Sequence, residues 1–156
     1  MSKKLNIEIV LVLDNIRSMH NIGSIFRSSD AFGVKSIFLC GICATPPNKE
    51  IRKTALGSTK TVTWQYFSST KIAIQQLVNK GYHIIAIEQT QSSSPLNNTT
   101  IQKDKIALIL GNEVKGISPE ILKEVNQHIE ITQHGEKTSM NVSVVAGIIL
   151  WALKNK

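Results

Sequence analysis

The chain has 156 residues, 42% of them hydrophobic, and a formal net charge of +7. That length sets the expectation of a single domain, 1–156, whose core needs no disulfide or metal staple; the charge favours a polyanionic partner, nucleic acid before all others. No signal-peptide apolar region opens the chain, and its longest apolar run, VVAGIILWAL at 144–153, is too short to span a bilayer, so a cytoplasmic protein with no membrane association is expected.

In chain order, IEIVLVL at 7–13 predicts a strand. NIGSIFRSSDAFGV at 21–34 predicts a helix, with Asn21 as N-cap and Gly33 at a left-handed C-terminal cap. Ile22, Ile25, Phe26, Ser29 and Phe32 share its apolar face, and Arg27 flanks that face with Gly23 and Ala31. A second strand is predicted at 35–41, a short helix at 48–57 and an alternating strand at 61–67. A helix at 70–80 stops at Gly81 and leads to the buried strand HIIAIE at 83–88. The polar loop QTQSSSPLNN follows, then the buried strand KIALIL at 105–110. Ser118 and Pro119 open a short helix, 128–131 is the last strand, and a helix runs from Asn141 to about Leu153.

This alternation predicts an α/β protein with a mostly parallel sheet and helices on both faces, its centre formed by the strands at 83–88 and 105–110. In such sheets ligands bind beyond the carboxyl ends of the strands. The loops after Glu88, Leu110 and Ile131 leave those ends.

Cys40 and Cys43 form a lone CGIC that closes a strand and opens no helix, so they are read as free structural thiols. His20, His83, His128 and His134 show no metal-ligand spacing; His20 and His134 are placed in solvated loops. LILGNEVKGIS at 108–118 puts Gly-Asn-Glu directly after a buried strand, without the spacing of a Walker loop or of G-x-G-x-x-G. Glu113 there is equally a ligand contact or a solvated acid. Ser139 and Asn141 each suit the N-cap of the last helix, where Ser143, Ala146 and Gly147 allow close packing against another element or subunit.

Together the set NIGSIFR (21–27), LGNEVKG (110–116) and SMNVS (139–143) resembles the three motifs of the SpoU (TrmH-like) RNA ribose methyltransferases of the SPOUT superfamily, over nearly the whole chain. The resemblance implies a Rossmann-like parallel sheet with a deep trefoil knot in its C-terminal part, and a homodimer packed through the knotted region; against relatives that carry an extra RNA-binding domain, 1–156 is expected to be a single SpoU-type domain with no separate RNA-binding domain. It implies methyl transfer from S-adenosylmethionine, without a metal, to a ribose 2′-hydroxyl of tRNA or rRNA. The alternative is a catalytically silent RNA-binding protein of the same fold.

By position, the resemblance makes Arg27 the catalytic arginine, with Asn21, Glu113, Ser139 and Asn141 around it, and places the cofactor against Ile87, Gly111, Ile131 and Met140. Gly23 and Ala31 are expected to leave Arg27 room to reach across a cleft. A guanidinium holds its proton too tightly for an easy base role. A phosphate clamp that also stabilises developing alkoxide charge suits it better. Arg17, Lys49, Arg52, Lys53, Lys60, Lys115 and Lys137 are candidate phosphate contacts, the dense group Lys49, Arg52 and Lys53 foremost.

Overall fold

Strand and helix alternate as the periodicity predicts: β1 (Glu8–Asp14), α1 (Met19–Ala31), β2 (Ser36–Cys40), α2 (Lys49–Ala55), β3 (Thr63–Phe67), α3 (Thr70–Asn79), β4 (His83–Ile87), β5 (Ser94–Pro95), β6 (Lys105–Gly111), α4 (Pro119–Leu122), β7 (Gln127–Glu130) and α5 (Val142–Lys154). The computed structural model describes residues 6–155, so Lys3, Lys4 and Lys156 lie outside the described residues. The strands form one sheet in the order β3-β2-β1-β6-β4-β7-β5, and every pairing is parallel. Among the described residues, no helix is long and apolar enough to cross a membrane.

Strand residues alternate between two cores, as a period of two requires. On one face Ile9, Leu11 and Leu13 of β1, with Ile106, Leu108 and Leu110 of β6, pack among residues of α1, α2 and α5. On the other, Val10 and Val12, with Ala107 and Ile109, pack among residues of α3 and α4. Both faces of the central strands are therefore dry, which is why these strands read as continuous apolar runs. The predicted polar loop after β4 holds a short strand and a 3-10 turn, Leu96–Asn98; the strand, Ser94–Pro95, pairs with Ile129–Glu130 at the sheet edge. Two residues are too few to leave a periodic signal, and an edge position tolerates the missing N–H of Pro95.

The start of α1 corrects a sequence expectation. Asn21 lies inside the helix, and Ser18 is the N-cap, its Oγ accepting from the Asn21 N–H at 3.1 Å. Both residue types make good caps. The choice is made from outside the segment, because the carboxylate of Glu113 accepts from the Arg17 and Ser18 N–H groups and holds Ser18 extended at φ −72°. The other end matches the prediction, with Gly33 left-handed at φ +65°. On α5, Asn141 caps as one of the two candidates, its Oδ1 accepting from the Ser143 N–H at 2.8 Å and from the Ser143 hydroxyl at 2.6 Å.

α1 and α2 pack backbone to backbone at Gly23. A Cβ at Gly23 would stand 2.0 Å from Thr54 Oγ1 and 2.3 Å from the Ile51 carbonyl oxygen. Gly23 thus does not open the flank beside Arg27, as its small size suggested; α2 fills the space. Gly23→Ala must push the two helices apart, and overpacking of this kind costs about 1–3 kcal/mol. Urea denaturation is expected to show a loss of that size.

Candidate active site

β6, β4 and β7 are neighbours in the sheet, so the segments that follow them meet at its carboxyl edge. They enclose a cavity of about 300 Å³ lined by Ile87, Glu88, Leu110, Gly111, Glu113, Glu130, Ile131, Ser139, Met140, Val142 and Val145, among others. The four residues expected against a cofactor, Ile87, Gly111, Ile131 and Met140, all stand on this wall, and Ser139 joins them.

The loop after β6 is folded tightly onto itself. Asn112 and Gly116 exchange backbone hydrogen bonds at 3.2 and 2.9 Å, while Asn112 Oδ1 accepts from the Val114 and Lys115 N–H groups at 2.9 Å each. A Cβ at Gly111 would lie 2.4 Å from the Ile117 nitrogen and 2.5 Å from the Gly116 carbonyl carbon, so only glycine lets the loop close. Glu88 anchors the loop from the end of β4, its Oε2 accepting from the Ile117 N–H at 2.8 Å. Glu88 and Glu130 escaped the sequence reading, although each is an acid at a strand's carboxyl end, the signal that singled out Glu113.

Glu113 is neither free nor merely solvated. Its oxygens accept from the Arg17 and Ser18 N–H groups at 3.0 Å each and from Asn21 Nδ2 at 3.3 Å. Partial burial pushes the carboxyl group up, but these donors outweigh burial and hold it below its ordinary value. The acid of the second motif therefore fastens the helix of the first.

Arg27 stands apart from this wall. It is exposed and lines an open cleft with Ser24, Ser28, Ala31, Phe32, Lys53 and Thr54, none of which borders the cavity at the sheet edge. Asn21 contacts Glu113. Asn141 is spent on capping α5. One chain thus brings Glu113, Ser139 and the cofactor candidates together and leaves Arg27 elsewhere.

Lys49, Arg52 and Lys53 share the exposed side of α2, where Glu50 pairs with Lys53 at 3.0 Å and with His20 at 2.7 Å. His20 lies in the first turn of α1 and not in a loop as expected. Both thiols are buried and free. Burial pushes Cys40 up to about 12 and Cys43 to about 11, while Cys43 Sγ accepts from the Ile16 N–H at 3.2 Å, so both are structural groups. Among the described residues, no group of His, Cys, Asp and Glu is arranged to hold a metal ion.

Residues 8–151 match the model of the SpoU rRNA Methylase family. The chain is 31% identical over 148 residues to a tRNA (guanosine(18)-2′-O)-methyltransferase of Aquifex aeolicus, covering 92% of this chain and 67% of that protein. It is 32% identical over 145 residues to a 23S rRNA (guanosine-2′-O-)-methyltransferase of Blochmanniella floridana, covering 93% and 56%. The AdoMet-bound rRNA methyltransferase of Sinorhizobium meliloti superposes with a TM-score of 0.88 at 26% identity, covering 95% of this chain and 56% of that one. The chain thus spans 67% and 56% of the length of these two curated relatives.

The low value of Glu113 makes its contribution to stability pH-dependent. A carboxylate depressed in the folded state stabilises the fold above its unfolded pKa, and that contribution is lost as pH falls through the folded value. Glu113→Gln is expected to be less stable than the wild type at neutral pH, with the gap closing in acid. Chemical denaturation across pH 3 to 7 (roughly the span over which carboxylates titrate) measures it; a gap that widens in acid overturns the assignment.

Proposed function

The chain belongs to the SpoU rRNA Methylase family, and from that premise we propose that it is a cytoplasmic, homodimeric methyltransferase that carries a methyl group from S-adenosylmethionine to a ribose 2′-hydroxyl of tRNA or rRNA. The observation that carries the reading is the cavity at the sheet's carboxyl edge, closed by Gly111 and bounded by Glu113.

The residues present fit the cofactor. A cavity of about 300 Å³ with apolar walls at Ile87, Leu110, Ile131, Met140, Val142 and Val145 suits an adenine ring. Gly111 lets main-chain groups approach a ligand without an intervening Cβ. The carboxylates of Glu88, Glu113 and Glu130 on the same wall favour a sulfonium cation. When bound, the cofactor supplies a methyl carbon already activated by positive sulfur. The protein's remaining tasks are to place the ribose hydroxyl and to offset the charge that grows on its oxygen.

Glu113 is a poor base for the hydroxyl proton, because its donors already occupy it and lower its basicity. Its work is to hold the wall and the start of α1. Arg27 is the cation for the reacting nucleotide. With Lys53 in the same cleft it grips a neighbouring phosphate, and the guanidinium fork faces the developing alkoxide.

On one chain this clamp and the cofactor cavity share no residue. A second copy brings them together. Support for it comes from α5, which packs on α1 and leaves Val144 51% and Trp151 61% exposed. The reading includes a knotted C-terminal part. In its favour, the chain leaves β6, crosses beyond β4 to form β7, and returns as α5 against α1.

Mapping ribose methylation in total RNA with and without this gene tests the activity, and a map with no lost mark sinks it. Arg27→Lys keeps the charge but not the fork, and kcat/KM is expected to fall about 100-fold. AdoMet affinity by calorimetry is expected to stay unchanged, and near-full activity of the lysine variant would count against the clamp. Trp151→Glu is expected to yield monomers in sedimentation and to lose methyl transfer while still binding AdoMet. A dimeric, active Trp151→Glu protein would remove the assembly from the reading.

A further inference from the structure

A second and larger cavity, of about 1070 Å³, opens beside the first over the carboxyl end of β1. The two share the wall Asn112–Glu113–Val114 and Gly116. Three large apolar side chains project into or over it: Met19, 37% exposed, Ile42, 61%, and Val114, 92%. Scattered exposed apolar residues are ordinary, but three converging on one cavity mark a binding surface.

The polar groups around them divide sharply. The acids are all consumed within the protein. Asp14 is 2% exposed and accepts from Thr70 Oγ1 at 2.5 Å and Asn15 Nδ2 at 3.1 Å. Glu50 pairs with His20 and Lys53, and Glu113 with backbone N–H groups. Arg17 and Lys115, by contrast, are exposed cations on the same cavity and form no ion pair among the described residues.

The cavity is also built in advance. Asn15, left-handed at φ +57°, accepts from the Ile42 N–H through Oδ1 at 3.0 Å, and its carbonyl accepts from Asn112 Nδ2 at 2.7 Å. A Cβ at Gly41 would strike Asn15 Oδ1 at 2.0 Å, so the chain after β2 lies directly on the end of β1. These bonds fix Ile42 and the shared wall relative to each other.

We propose that this cavity seats the base of the nucleotide whose ribose is methylated, held by its faces against Met19, Ile42 and Val114 while Arg17 and Lys115 hold the adjoining phosphates. The inference rests on the methyltransferase reading, since a ribose presented at the shared wall has the methyl donor on one side and this cavity on the other. Sequence-reading RNA sites splay a base out of the stack and hold it against side chains, and enzymes that act on a base hold it between apolar or aromatic groups; this cavity offers the same kind of seat beside the ribose. Because Asn15, Asp14 and Glu50 are already bonded within the protein, the seat grips faces more than edges. It therefore positions whichever base is presented and discriminates weakly among them.

Met19→Glu and Ile42→Glu test this. Neither residue lines the first cavity, and a glutamate in the first turn of α1 suits that helix. Binding to total tRNA and to ribosomal RNA is followed by fluorescence anisotropy, and AdoMet binding by calorimetry, with Ile72→Glu on the remote α3 as a charge control. Both cavity variants are expected to weaken RNA binding at least about tenfold, the size of one lost apolar side-chain contact. AdoMet affinity and thermal melting stay at the wild-type level, and Ile72→Glu binds RNA as the wild type does. RNA binding unchanged in both cavity variants, or weakened equally in Ile72→Glu, overturns the seat. If the wild type binds RNA and the cavity variants do not, yet no methyl is transferred, the seat stands as an RNA site and the methyltransferase reading falls.

Discussion

The carboxylate of Glu113 is the contact on which the rest of the sheet's carboxyl edge depends. It lies in the loop after β6, yet its oxygens accept the N–H groups of Arg17 and Ser18, nearly a hundred positions earlier in the chain. A helix start is where an anion is best placed, because orphan donors and the positive end of the helix dipole meet there. Through that contact Ser18 becomes the cap, Asn21 is drawn to the acid, and the loop becomes a fixed partition between two cavities. A free carboxylate at this position would give the loop after β6 no hold on α1.

Around this partition the protein separates its tasks in space. The cavity that the proposed function gives to the cofactor is built from backbone-rich segments, with glycine at one point and apolar walls elsewhere. Arg27 and Lys53, on α1 and α2, face a common cleft, and the proposed function gives them the phosphate backbone. The first task wants a dry, rigid enclosure; the second wants exposed cations that meet a hydrated polymer. Placing them on different elements lets each have its own dielectric surroundings. On the proposed function, assembly with another copy joins them.

Much of the architecture was legible because its signals are local. The dry central strands announced themselves as apolar runs, and Gly33 marked the end of α1 by its place in the sequence. The cavity wall at Ile87, Gly111, Ile131 and Met140 was legible through resemblance and through the rule that ligands sit beyond strand ends. What was hidden is settled by contacts between distant segments. Ser18 outcompetes Asn21 as a cap because Glu113 reaches it from another loop. Gly23 looked like open space beside Arg27, whereas α2 occupies that space. Asn141 and Ser139 were interchangeable caps by chemistry, and only the path of the chain assigns one to α5 and the other to the cavity. The two-residue strand β5 has no periodicity to read.

The contact at Gly23 carries one more implication. With a carbonyl oxygen of α2 so close to the α1 backbone, the two helices cannot slide or tilt independently. Lys49, Arg52 and Lys53 are carried on one member of the pair and Arg27 on the other. Their spacing is therefore set by main-chain packing and not by flexible side chains alone. The helix pair carries its cations on a fixed main-chain frame, so a polyanion whose phosphates follow the same frame meets them at the smallest conformational cost. On the proposed function, selection of RNA shape begins there, before any base is touched.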